Sequence, residues 1–394
     1  MKYKTLFAAL ALTASAALVQ PASAQQGVKI GLITTQSGPN AGLGRDMVDG
    51  FNLAIRHAGG RLGGVPTELI VGDDQFRPDA GKALAERMVQ RDRVDIVTGV
   101  IFSNIMLALS DTVLKDRRGV FLVSGNAGPS ELAGKDCNPN FFSASWQNDN
   151  THEAMGQHMT NAGIKRAYIM APNYPAGRDA LAGFKRFFKG EVVAEVYTQL
   201  GQTDYAAELA ALRAARPEAT YIFYPGGMGV AYIRQYAQLG LMQQIPLFAP
   251  SFSADQTILP GVGDAAIGMF SSTFWSESLG NPANEKFVAD FEAAYNRIPS
   301  PYAAQSYDAA MMIDAALKAT GGSLANKDAF RNALRTANFQ SVRGPFKFNT
   351  NHFPIQNYYL TQIGKDERGR LVNQMRGIIF SGHADAYVGQ CKMK

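Results

Sequence analysis

The sequence predicts an α/β fold of two doubly wound, Rossmann-like lobes, and three observations predict it. From Val28 to Gly125 short apolar runs alternate with amphipathic helical stretches, the pattern of a parallel sheet covered by helices on both faces. Residues 138–149, NPNFFSASWQND, then show no helical period and contain Pro139, which suits a crossover between lobes. Beyond them the alternation restarts with a similar layout but a different sequence, in a chain of 394 residues that is long enough for two lobes of ordinary size.

Taken in order, VKIGLI (28–33) reads as a strand and GRDMVDGFNLAIRHAGG (44–60) as a helix closed by paired glycines. PTELIVGDD (66–74) is a strand, and DAGKALAERMVQRD (79–92) is a helix with Asp79 as its expected cap. VDIVTGVI (94–101), SNIMLALSDTVLKD (103–116) and GVFLVSG (119–125) continue as strand, helix and strand. The second half gives strands at 166–171, 191–197, 219–224 and 245–250, with helices at 177–188, 204–215 and 228–240 between them. MFSSTFW (269–275) is extended, helices follow at 284–296 and 302–319, and 342–363 reads as strands and turns. Helices that arrive after the second half is complete predict that the chain returns to the first lobe, giving several hinge strands and a clamshell. The expected division is 27–145 plus 276–345 for one lobe and 146–275 plus 346–394 for the other.

The first residues set the expected compartment. Lys2 and Lys4, the apolar run Leu6 to Val19 and the small residues Ala22-Ser23-Ala24 form an export signal, with cleavage expected after Ala24. A retained membrane anchor is the alternative, and the run is short for a span. Loss of Lys2 and Lys4 lowers the formal charge from +5 to +3, and the remaining charges are interspersed. No basic block would track a phosphate backbone, so nucleic acid and membrane surfaces are not expected partners. Cys137 and Cys391 are the two cysteines; an oxidising compartment favours one long-range disulfide between them over two free thiols. Neither has a second ligand at metal spacing, so no metal and no cofactor are expected.

Ligands of open parallel sheets bind beyond the carboxyl ends of the strands. Those ends carry QSGPNAGLG (36–44), FSN (102–104), SGNAGP (124–129), PNYPAG (172–177), YPGGMG (224–229) and PSFS (250–253). Several precede helices, whose free N–H groups favour an anion. Gly38, Gly42 and Gly44 do not have the dinucleotide spacing, and Asp73 and Asp74 read equally well as a solvated turn. No GxSxG, HExxH or P-loop appears, and no serine or cysteine is tied by the sequence to a histidine base. His57, His152 and His158 on predicted helices, and His352 and His383 near turns, read as packing or surface residues.

VKIGLI…SGPNAGLG, DDQFRPDAGKALAERMV, VDIVTGVIFSN, VFLVSGNAGPSEL, NPNFFSAS and QTDYAAELAALRAARPEATYIF, in that order, resemble the type I periplasmic binding proteins of ABC importers, in the branched-chain amino-acid and amide group. The likeness covers nearly the whole chain after the export signal. It implies two lobes joined by three crossovers, closing as a monomer on a small solute and docking on a membrane permease. It also implies a ligand carboxylate held by Ser103, with Asn104 beside it, and by the loop Asn126, Ala127 and Gly128.

The departures from that family carry the specificity reading. Leu43 and Ala176 stand where amino-acid binders place tyrosines, and Gly128 stands for a threonine. Ser251 or Phe252 stands for the carboxylate that neutralises an α-ammonium group. Burying an ammonium without a counter-charge costs several kcal/mol, so the pocket is not expected to take an amino acid. Leu43, Phe102, Tyr174, Tyr224, Met228 and Phe252 offer an apolar or aromatic wall instead, with Gly226 in the turn beside Tyr224. A benzoate, hydroxybenzoate, phenylpropenoate or aryl-keto acid fits that description.

Each residue also has a structural reading. Ser103 can cap the helix that follows it, Phe102 can face the core, Tyr224 can pack under the crossover, and Gly226 can be a turn alone. At the level of the whole protein the alternatives are the same scaffold serving branched-chain amino acids, amides, urea or aliphatic acids, an exported α/β enzyme, and a sensor subunit.

Overall fold

The computed structural model describes residues 27–336 and 338–393; the expected export signal, with its expected cleavage after Ala24, lies outside them. Two sheets organise the chain. In the first, β1 (Val28–Thr34), β2 (Thr67–Asp73), β3 (Ile96–Gly99), β4 (Phe121–Ser124) and β5 (Phe141–Ser143) are all parallel, in the order β2-β1-β3-β4-β5. In the second, β6 (Arg166–Pro172), β7 (Glu191–Thr198), β8 (Ala219–Ile222), β9 (Leu247–Pro250) and β10 (Phe270–Thr273) repeat that winding as β7-β6-β8-β9-β10. Antiparallel β12 (Pro354–Lys365) joins β10 and pairs with β11 (Lys347–Phe348) and β13 (Leu371–His383). The central strands β3 and β4 are buried at every residue, which explains their unbroken apolar sequence.

Three connections pass between the lobes, over 144–149, 274–281 and 338–346. After the second of them the chain returns to the first sheet. Helix Pro301–Ala319 lies along helix Ala41–His57, and Asp314 accepts from the Gly63 N–H at 2.8 Å. Arg343 fastens the connections together: buried, it donates to Asp308 Oδ2 (2.9 Å), to the Ser145 carbonyl (2.7 Å) and to Gln356 Oε1 (2.9 Å). A disulfide joins Cys137 to Cys391 with an S–S distance of 2.09 Å. Among the described residues no helix is long and apolar enough to cross a membrane, and no group of histidine, cysteine and carboxylate side chains could hold a metal.

Three features differ from the sequence reading. Asp79 does not cap its helix, which begins one residue earlier at Pro78; Arg77 occupies the cap position and pairs with Asp79. Proline with its fixed φ is well suited to a first helical position, and that displaces the acid into the first turn. Helix Lys327–Thr336 and strand β13 also lie outside the predicted elements. β13 sits at a sheet edge with much of its length exposed and bulges in its pairing, so its residues alternate poorly. Gly44, in contrast, has a plain packing reason: a Cβ there would come within 1.9 Å of the Thr35 carbonyl oxygen.

Candidate functional site

The strand ends of both sheets meet at a narrow slot between the lobes. It has about 270 Å³ of atom-free space, and a water-sized sphere finds room for little more than one position in it. The lobes meet closely here, and the slot as it stands has no room for a solute much larger than water. A larger hollow, with about 1270 Å³ of atom-free space and lined in part by Arg45, Arg297 and Arg370, is open to solvent. Two of its arginines are already matched, Arg297 with Asp46 and Asp49 and Arg370 with Glu292 and Asp366. The slot, by contrast, gathers polar groups without partners.

The first lobe supplies the slot's polar side. Ser103 opens helix Ser103–Leu114, directly after Phe102 at the end of β3. Its side chain makes no cap bond; instead its oxygen accepts from Asn148 Nδ2 at 3.0 Å, which leaves the hydroxyl proton free to be donated. The N–H groups of Ser103 and Asn104 lie in the first helical turn, beyond the reach of intrahelical bonding. Asn126, also on the slot, is held by its amide: Nδ2 donates to the Ile101 carbonyl (2.7 Å) and Oδ1 accepts from Gln305 Nε2 (2.6 Å).

The second lobe supplies rings. Phe252, on the turn after β9, stacks on Trp146 with centroids 4.4 Å apart and meets Tyr302 edge-on at 5.5 Å. Tyr174 stacks on Phe223 at 6.3 Å and lies 6.2 Å from Phe102. Trp146 Nε1 is buried without a hydrogen-bond partner, and Tyr174 and Tyr302 line the same slot. Burial pushes both tyrosines well above the ordinary phenol range, so they remain donors at any working pH. None of the lining side chains carries a charge.

Several residues singled out in the sequence lie elsewhere. Tyr224 does not reach the slot: its ring is packed against Tyr205 and Tyr232 in the second lobe's core, its hydroxyl 3.0 Å from Thr198 Oγ1. Its neighbour Phe223 faces the slot instead, because consecutive residues along an extended segment point to opposite sides. Gly226 and Leu43 meet where the lobes touch, with the Gly227 N–H 3.3 Å from Asn40 Oδ1. Ser251 is buried with its hydroxyl unpartnered, and Asn104 Oδ1 is likewise unpartnered; neither lines the slot. Met228 packs in the second lobe's core, and Ala176 does line the slot.

The loop expected to complete an anion site with its N–H groups has them engaged already. The Asn126 N–H points to Ser124 Oγ (3.3 Å), that of Ala127 to the Val100 carbonyl (3.1 Å) and that of Gly128 to Asn148 Oδ1 (3.0 Å). Gly128 is pressed against the first connection so closely that a Cβ would sit 2.2 Å from the Trp146 carbonyl oxygen, which excludes a threonine there.

Sequence reasoning missed Trp146, Asn148, Phe223 and Tyr302. The first two sit in the aperiodic connection, where the one available signal was a tryptophan in a chain that has two. None of the five histidines lines the slot; His152, for example, is wholly buried beside Tyr221, and burial holds its pKa down to about 3.

Comparison with known proteins places this geometry in context. A family model described as periplasmic binding protein matches residues 27–368. The chain is similar to a solute-binding protein of an ABC transporter from R. palustris, solved in complex with benzoate, at 32% identity and a TM-score of 0.87, covering 93% of this chain and 100% of that one. A second such protein from Rhodopseudomonas palustris, solved with 3,4-dihydroxy benzoic acid, is 28% identical with a TM-score of 0.84, over 91% and 99% of the two chains. Among curated proteins, Leu/Ile/Val-binding protein homolog 6 of Brucella melitensis is 28% identical over 93% of this chain and 95% of its own length.

Proposed function

The chain belongs to the periplasmic binding proteins, the substrate-binding components of ABC transporters, and from that premise we propose that it captures a small aromatic carboxylate of the benzoate type. The observation that carries this reading is the character of the slot: neutral hydrogen-bond donors and ring faces, with no carboxylate to meet an ammonium group. A benzoate-like anion would receive the Ser103 hydroxyl and the free N–H groups of the helix start, where the helix dipole also favours negative charge. Hydrogen bonds to a charged acceptor are roughly twice as strong as neutral ones, which offsets the desolvation of an anion without a cationic partner. The ring would lie against Phe252 and Tyr174, and the Trp146 N–H and the tyrosine hydroxyls would meet the carboxylate or a ring substituent. The benzoate-bound relative supports this assignment.

In the same reading the protein is exported to the periplasm after cleavage at Ala24, acts as a monomer and hands its ligand unchanged to a permease. Calorimetry with benzoate, 4-hydroxybenzoate, leucine and urea tests the ligand class. Micromolar or tighter binding of the aromatic acids with no response to leucine is the expected result. Tight leucine binding without a response to aromatic acids would replace this reading with the one in the name of the Brucella relative.

A further inference from the structure

A hydrogen-bond chain leads out of the slot and ends on the opposite lobe. Asn148, in the first connection, donates from Nδ2 both to Ser103 Oγ (3.0 Å) and to Asp179 Oδ2 (2.9 Å), while its Oδ1 accepts from the Gly128 N–H (3.0 Å). Only one orientation of the amide satisfies a carboxylate on one side and an N–H on the other, so the side chain is fixed. Asp179 belongs to helix Pro175–Phe187 of the second lobe. It also accepts from the Ser130 N–H (3.1 Å) and the Ser130 hydroxyl (2.8 Å), and Ser130 belongs to the first lobe.

This carboxylate is 8% exposed and has no ion-pair partner among the described residues. Its acidic neighbours, Glu131 and Asp149, repel it. The donors that hold it are thus two from the first lobe and one from the connection, and they are together only while the lobes are closed. Asn148 fills the accepting side of Ser103 Oγ and so turns the serine proton away from itself, towards the slot.

We propose that Asp179 is a positioning residue that clasps the lobes and, through Asn148, aims the Ser103 hydroxyl at the ligand carboxylate. Opening the lobes separates Asp179 from Ser130, releases the Asn148 amide and removes the direction of the serine proton, so release of the ligand and loss of the clasp are one event. This rests on the carboxylate reading of the site, but not on the ligand being aromatic.

The test is stopped-flow binding of benzoate to the full chain, with Asp179→Ala, Ser103→Ala and the double variant, and Asp179→Glu as the conservative change. Asp179→Ala is expected to raise the dissociation rate about tenfold or more while the association rate stays within about threefold, since changes within one interface fall mostly on dissociation. In the Ser103→Ala background the same change is expected to have a smaller effect, because the part that acts by aiming the hydroxyl is already lost while the contact with Ser130 remains. Asp179→Glu is expected to recover part of the loss. Fully additive effects would overturn the aiming of Ser103, and a lowered melting temperature with unchanged dissociation would overturn the clasp. If the wild type takes leucine instead of benzoate, the aromatic reading falls and the same cycle run with leucine judges the clasp, since both ligands carry a carboxylate. If it takes neither, hydrogen exchange at the Ser130 N–H decides: protection lost in Asp179→Ala supports the clasp, and equal protection refutes it.

Discussion

The first lobe meets the slot with the polar Ser103 and Asn126, placed after β3 and β4, beside the rings of Phe102 and Tyr302, while the second meets it with Tyr174, Phe223 and Phe252, placed after β6, β8 and β9. Both sheets wind in the same order, so the difference cannot come from topology. It comes from a handful of residues where strand turns into helix or loop. A common scaffold fixes where those residues stand, and their chemistry puts the serine and asparagine of the slot on the first lobe and only rings and small apolar residues on the second.

The sharpest way to break this division is to place an acid in the aromatic lobe. Phe252→Glu puts a carboxylate opposite the ligand's own, and the like charges in a buried slot should cost about 3–5 kcal/mol of benzoate affinity, measured by calorimetry. Detectable leucine binding by that variant would be a direct gain from the added counter-charge.

The two lobes should also fail differently. Phe252→Ala should weaken benzoate by about 2–3 kcal/mol through lost ring burial, with a smaller loss for an aliphatic acid of similar length. Ser103→Ala should cost about 1–3 kcal/mol for either acid, because it removes a bond to the head group they share. Equal losses for both acids in Phe252→Ala would dissolve the comparison.

Protonation separates the slot from a buried acid just beyond Phe252 in the second lobe. Asp255, three residues beyond Phe252, does not line the slot; its carboxylate caps Thr257, and burial pushes its pKa up to about 7. An unfolded aspartate titrates at about 3.9, so between these values the folded state binds the extra proton. Its contribution to stability is complete below the unfolded value and is lost as pH rises through about 7. Asp255→Asn should therefore gain melting temperature relative to the wild type at pH 8 compared with pH 5; the same difference at both pH values would mean that Asp255 does not titrate there.

The smallest expected effect belongs to Tyr224→Phe. Removing its bond to Thr198 should lower stability by about 0.5–1.5 kcal/mol in denaturant unfolding and leave ligand affinity alone. A change in affinity would move Tyr224 from the core to the site.

What the sequence made legible was the alternation of elements and the kind of residue at each strand end. Phe102, Ser103, Asn126, Tyr174 and Phe252 line the slot for the reason that made them noticeable: each follows an apolar run at a sheet's carboxyl edge. Parity was harder. Tyr224 and Phe223 are neighbours of similar composition, and a one-residue difference in where β8 ends decides which faces the ligand. Trp146 and Asn148 lie in a connection without period, and Tyr302 arrives from helix Pro301–Ala319, far along the chain. Their place depends on how the lobes are joined, which no local pattern records. Nor does an N–H group in a sequence reveal whether it is already engaged, as those of 126–128 are.

The cystine has a mechanical consequence. Cys137 follows β4 in the first sheet's half of the chain, and Cys391 follows β13 in the second sheet, so the bond is a fourth covalent link between bodies otherwise joined by three. The segment from His383 to Cys391 can extend to roughly 28 Å at most. Such a link is expected to act as a tether of fixed reach on any swing of the lobes, and reduction is expected to widen that swing, as solution scattering with and without a reducing agent would measure.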